Sequence, residues 1–345
     1  MSTAARSFLE GLDDEARALL MSVAAPVSFT VGSTLVRHGD PARGAYVLRQ
    51  GAVEANVTLP GGETLTVARL GAGGVFGEMS LVEQGTCTAT VRATAPVDGW
   101  FVASEDFRAL VSRRQPAATR LQHALTLTLA EKLAALNAQL RDCAAPEDRP
   151  ARGASAGIDP LAGVPRSRVA PFDVSGFLPR LPFFERFSAD EIDEVVSHAA
   201  YVEVERGRAI FASQGPAASA FVVVRGAVEI VTVQGACERR VAVVGPGQLI
   251  GHLAVLRQGT HASFAFARES ALLLDIPAAA FNQLYFGEGR TSTLLRSAVQ
   301  KSLLASMART NRALTRLLSQ AKLEAAGREG RKLEAALHGQ LTAAN

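Results

Sequence analysis

The stretch Gly77-Glu78-Met79-Ser80-Leu81, followed after a short gap by Cys87-Thr88-Ala89-Thr90-Val91, decides the reading of this chain. Gly77 allows close backbone approach, and a short helical turn starting there points free N–H groups at an anion. Glu78 is a carboxylate beside that turn, suited to accept hydrogen bonds from a hydroxyl or to favour the positive end of the turn. An arginine nine residues later would complete a charge-assisted clamp on the anion. Position 87 holds a cysteine instead, which is short, nearly neutral at pH 7 and a weak donor. Losing one hydrogen bond to a charged group costs about 1.5–3 kcal/mol, or about ten- to a hundredfold in affinity.

Working outward, a shift of 174 or 175 residues lays one half of the chain over the other. Gly32 meets Gly207, Pro41-Ala42 meets Pro216-Ala217, and Tyr46-Val47-Leu48 meets Phe221-Val222-Val223. Gly51-Ala52-Val53-Glu54 meets Gly226-Ala227-Val228-Glu229, and Gln84-Gly85-Thr86 meets Gln258-Gly259-Thr260. A period this long signals duplicated domains, not a solenoid. Valine-rich runs between the glycines predict short strands, and many short strands with Gly/Pro turns predict a sandwich or roll. Each copy opens with an amphipathic helical pattern, and Ser188 with Glu191 resembles a capping box at the start of the second.

Each copy also closes with a longer helix. Leu129, Leu133, Leu136 and Leu140 follow the 4-3-4 spacing of a coiled-coil seam, and Leu303, Met307, Leu314 and Leu317 fit the same register with Thr310 as its polar exception. Such a seam packs on its own domain or pairs with a second copy, and its narrowness favours pairing. Domains are therefore expected at 1–142 and 173–325, joined by a flexible Ala/Pro/Gly/Arg/Ser-rich linker at 143–172 and followed by a basic tail at 326–345.

Composition narrows the class. The 345 residues are 48% hydrophobic and 20% charged, as in soluble globular proteins, and no apolar run approaches the roughly 18 residues of a membrane span. Acidic residues interrupt the first 13 positions before any signal-like core forms, and Cys87, Cys143 and Cys237 give neither a disulfide framework nor a zinc spacing. A cytoplasmic location is the expectation. From Arg290 onward ten Lys/Arg stand against three acids, a solvated helix face or a surface for an acidic partner.

Taken together, the glycines, the Tyr-Val-Leu and Gly-Ala-Val-Glu strand pair, the 77–91 stretch and the helix after it resemble the cyclic-nucleotide-binding domain of catabolite activator proteins, protein kinase A regulatory subunits and gated channels. The resemblance implies an α+β fold: two antiparallel β-rolls of jelly-roll type with flanking helices, each followed by a long C-terminal helix. It implies a phosphate-binding cassette in the first copy formed by Gly77, Glu78, Met79, Ser80, Cys87 and Thr88, with Glu78 on the ribose and Cys87 where the family has arginine. The ligand so implied is a cyclic nucleotide, cAMP or cGMP. In the second copy Gly251, Leu253 and Ala254 keep the backbone pattern, His252 replaces the ribose glutamate, His261 replaces the arginine, and Ala262 follows. That copy reads as degenerate, with a proton-dependent anion site or a His252–His261 metal pair as alternatives.

No P-loop, dinucleotide fingerprint, serine elbow or metal-ligand cluster is present, so an enzyme is not expected. The residues after Ser319 are too few for a winged helix-turn-helix, which disfavours sequence-specific DNA readout. Three readings stand: a regulatory sensor answering to a cyclic nucleotide and acting on a protein partner through its helices, a ligand-independent homodimeric scaffold joined by the leucine seams, and a transcription-associated regulator. A redox role for Cys87 needs a lowered pKa, and Arg92, five positions on, falls on the other strand face.

Overall fold

Matched glycines expose the duplication in the backbone itself. Gly77 and Gly251 take φ of 75° and 76°, and Gly51 and Gly226 take 97° and 87°, left-handed values that a side chain resists. A Cβ on Gly77 would stand 2.6 Å from the Gly44 carbonyl oxygen, so the glycine is required for close approach as well. The computed structural model describes residues 8–58, 64–113, 115–142, 149–150, 155–234 and 237–342.

The first repeat begins with α1 (Asp14–Met21), whose first turn is capped by the Asp13 carboxylate accepting from the Ala16 N–H at 2.8 Å. Strands β1 (Ala24–Phe29), β2 (Thr34–Val36), β3 (Gly44–Gln50), β4 (Val53–Thr58), β5 (Thr64–Leu70) and β6 (Val75–Phe76) follow. A four-residue turn, α2 (Met79–Val82), then precedes β7 (Thr90–Ala93) and β8 (Val97–Ala103). They form two open antiparallel sheets, β1-β8-β3-β6 and β2-β7-β4-β5. Leu48 and Phe76 from one sheet share a core with Val53 and Val91 from the other. Helices α3 (Ser104–Ser112) and α4 (Pro116–Asp142) complete the repeat.

The second repeat restates this plan. A full capping box of Ser188 and Glu191 starts α5 (Ala189–Ser197). After β9 (Arg149–Pro150) in the connecting stretch come β10 (Ala200–Val204), β11 (Ala209–Phe211), β12 (Ser219–Arg225), β13 (Val228–Gln234), β14 (Cys237–Val244) and β15 (Leu249–Ile250). The turn α6 (His252–Leu256) leads to β16 (Phe264–Ala267), β17 (Ala271–Pro277), α7 (Ala278–Phe286) and α8 (Arg290–Thr342). Its sheets run β10-β17-β12-β15 and β11-β16-β13-β14-β9. Equivalent isolated bridges, Pro41 to Thr86 and Pro216 to Thr260, fall where the sequence shift puts them.

Much of the connecting stretch expected to be flexible is anchored to the second repeat. Leu161 is fully buried in that repeat's core, Arg166 Nε lies 2.5 Å from buried Asp275 Oδ2, and Ser167 exchanges backbone hydrogen bonds with Tyr201. The rest of the expected linker, 143–148 and 151–154 with Cys143, lies outside the described residues. Helix α8 runs on through the boundary expected at 325, and residues 343–345 lie outside the described residues.

The two leucine seams find each other inside the chain. Gln300 Nε2 donates to Thr126 Oγ1 at 2.9 Å and to the Gln122 carbonyl at 3.1 Å; further along both helices, Thr310 Oγ1 donates to Asn137 Oδ1 at 3.0 Å. Because both helices advance in the same sense between these contacts, α4 and α8 lie parallel. Leu125, Leu129 and Leu133 join Leu295, Leu303 and Met307 in one core cluster with residues of both repeats. Of the face on which homodimer pairing was expected, Leu129, Leu133, Leu303 and Met307 are thus covered within one chain. Buried Arg296 ties the helix bases together, donating to Gln122 Oε1 at 2.9 Å and to the Tyr285 and Gly287 carbonyls at 2.6 and 2.9 Å.

Candidate functional site

The first cassette is built by a glycine bend and one helical turn. Gly77 reverses the chain after β6, Glu78 caps α2 by position, and Ser80 Oγ donates back to the Gly77 carbonyl at 2.7 Å. Ser104 at the start of α3 donates to Ser80 Oγ at 3.1 Å in a buried contact, fixing the turn from behind. Opposite, the Cys87 N–H donates to the Asp40 carbonyl at 2.8 Å, and the Gly39 N–H donates to the Cys87 carbonyl at 2.9 Å. Gly77, Glu78, Met79, Ser80, Cys87 and Thr88 all lie on the wall of one cavity of about 1030 Å³.

Two features of that cavity were invisible in the sequence. First, Glu78 is already paired: Lys132 on α4 places Nζ 2.7 Å from Glu78 Oε1 and donates to the Val75 carbonyl at 2.8 Å. The carboxylate is 5% exposed, so its charge is met by a helix ammonium in a partly dry setting. Second, the cavity belongs to both repeats. Lys132, Leu136 and Gln139 of α4 line it together with Lys301, Leu304 and Met307 of α8. Lys132 is 54 residues from Glu78, and no local spacing announces such a pair.

Electrostatics and position bear on two earlier questions. Burial, and secondarily the Asp40 carboxylate, pushes the Cys87 thiol up, the opposite of the activation a redox switch requires. Arg92 is exposed on β7 and is absent from the cavity wall, as its strand position implied.

In the second cassette both histidines are buried. His252 has no hydrogen-bond partner for either ring nitrogen among the described residues. Burial, then the Arg309 guanidinium, holds its pKa down to about 4, against a weaker pull from the Leu249 backbone that falls outside hydrogen-bond geometry. His261 stacks on Phe211 with ring centroids 4.1 Å apart, and burial lowers its pKa to about 4 as well. Both rings are therefore neutral near pH 7, which removes the charge an imidazolium anion site needs. Gly251 keeps the left-handed bend, Leu253 and Ala254 lie in α6, and Ala262 is exposed beside His261. Among the described residues no group of three or more metal-ligating side chains occurs, so a His252–His261 pair has no third ligand there. No described helix is long and apolar enough to cross a membrane.

The model of the cyclic nucleotide-binding domain matches residues 26–114 and again residues 201–287, together just over half of the chain. The chain belongs to that family. Here its domain occurs in tandem, once in each repeat. Among curated relatives, Glutaminase 1 of Bradyrhizobium diazoefficiens is 35% identical over 137 residues, 40% of this chain and 22% of that protein. The Cyclic AMP receptor protein of Thermus thermophilus is 34% identical over 102 residues, 30% of this chain and 45% of that protein. The chain thus spans less than half the length of either. Among solved structures, the regulatory domain of Toxoplasma gondii PKA with cAMP aligns at 18% identity over 87% of this chain and 92% of that one, with a TM-score of 0.30.

Proposed function

We propose that the protein is a regulatory sensor whose first repeat binds a cyclic nucleotide and whose paired helices carry the response to a partner protein. Each repeat's two sheets are read as halves of one eight-stranded roll, with the second roll serving as a structural partner and not as a sensor. The observation that carries this reading is the asymmetry of the two cassettes. One opens onto a large cavity with the Glu78 carboxylate on its wall; in the other, His252 and His261 stand in place of the glutamate and the expected arginine and are both buried. Because α4 and α8 form one side of that cavity, a ligand that prefers one arrangement of the helices shifts their equilibrium.

Calorimetry with cAMP and cGMP tests it. Saturable heat is expected for one site per chain, weakened about tenfold or more by Glu78→Gln, which keeps the shape and removes the charged acceptor. The Glu78–Lys132 pair also favours a second reading, in which the closed pair makes the cassette a ligand-independent scaffold element. Absence of heat at millimolar nucleotide, with assembly unchanged by nucleotide, decides for the scaffold.

A further inference from the structure

A ligand that carries a negative charge needs a cation in the cavity, and position 87 does not provide one. Lys132 is committed to Glu78, so its charge is already balanced. Arg37 and Arg43 line the cavity but are exposed, where water and salt screen their charge. Lys301 differs from all three. It projects from α8 of the second repeat onto the wall of the first repeat's cavity, half-buried beside Leu304, and no ion pair to it occurs among the described residues. An ammonium on a cavity wall, with no ion pair among the described residues, is free to receive an anion.

We propose that Lys301 receives the anionic group of the first repeat's ligand, so that the second repeat completes the binding site across the α4–α8 interface. The inference rests on the sensor reading above and deepens it, because it makes the degenerate repeat necessary for binding. Charge that an arginine at position 87 would bring is supplied here by a helix that also belongs to the output. Occupancy then pulls on α8 through Lys301.

The test compares a charged and an uncharged ligand on the full chain. Affinities for cAMP and for adenosine are measured by calorimetry for the wild type, Lys301→Met, Lys301→Arg and the double variant Lys301→Met with Cys87→Arg. Lys301→Met is expected to weaken cAMP about tenfold or more while adenosine changes less than about twofold. Lys301→Arg should retain cAMP binding, and Cys87→Arg in the Lys301→Met background should restore it. Unchanged adenosine binding also reports that the variant is folded. If wild type binds cAMP but Lys301→Met binds it equally well, or loses both ligands alike, the role of Lys301 is refuted and the sensor reading survives. If wild type binds neither ligand, both fall.

Discussion

A histidine that is neutral in the folded protein and free to protonate in the unfolded one ties stability to pH. His252 and His261 have folded pKa values of about 4 against 6.5 for an unburied ring. Above about pH 6.5 neither state takes up these protons, and their contribution to folding is intact. As pH falls below 6.5 the unfolded chain binds protons that the folded one refuses, so stability declines until about pH 4 and then levels off. From pH 7.5 to pH 5 each ring costs about 2 kcal/mol on this account. Urea unfolding of wild type and His252→Leu at both pH values checks it. The variant should lose less stability than wild type over that interval; parallel losses would mean that His252 does not titrate in this way. These histidines were legible as departures from the cassette pattern. Their burial was not, since a fully enclosed imidazole and a solvated one are spelled alike.

At the scale of elements, the helix seam carries the clearest difference between sequence and structure. The 4-3-4 spacing of Leu129, Leu133, Leu136 and Leu140 correctly marks an apolar stripe, yet a stripe does not name what covers it. Here the cover is α8, and the choice is enforced by polar contacts at matched heights: Gln300 with Thr126 and Gln122, and Thr310 with Asn137. A buried polar pair loses its partner if the register slips, so such contacts fix alignment more than they add stability. The same limit applies to the connecting stretch, whose composition reads as a linker although Leu161 and Arg166 pin it to the second repeat. Leu129 and Leu303 are fully buried in the shared cluster. Leu129→Ala and Leu303→Ala should each destabilise the protein by about 2–5 kcal/mol in denaturant unfolding, without changing its mass in sedimentation. A variant that sediments at a lower mass while keeping its unfolding midpoint would place the seam between molecules.

For the whole molecule, the decisive fact is that one core serves both repeats. Phe8, Leu20 and Leu110 of the first repeat fall in the same buried cluster as Phe184, Tyr201 and Leu274 of the second, joined through α4 and α8. Arg239 of β14 adds a clasp, donating to the Leu140 carbonyl of α4 at 2.6 Å. The duplication itself was plain in the sequence because glycines that need left-handed backbone recur at the same places. That the copies fuse into one unit was not, because the fusing contacts join residues about 175 positions apart. Independent domains unfold in separate steps, whereas a shared core makes each half depend on the other. Scanning calorimetry should therefore give a single transition whose calorimetric and van't Hoff enthalpies agree. Leu303→Ala, made in the second repeat, should lower the melting of first-repeat signals, read by the fluorescence of the only tryptophan, Trp100, by the same amount as the calorimetric transition. If Trp100 instead reports its wild-type midpoint while the rest of the chain melts earlier, the repeats are separable. A coupling route from the first repeat's cavity through α8 would then have no structural basis.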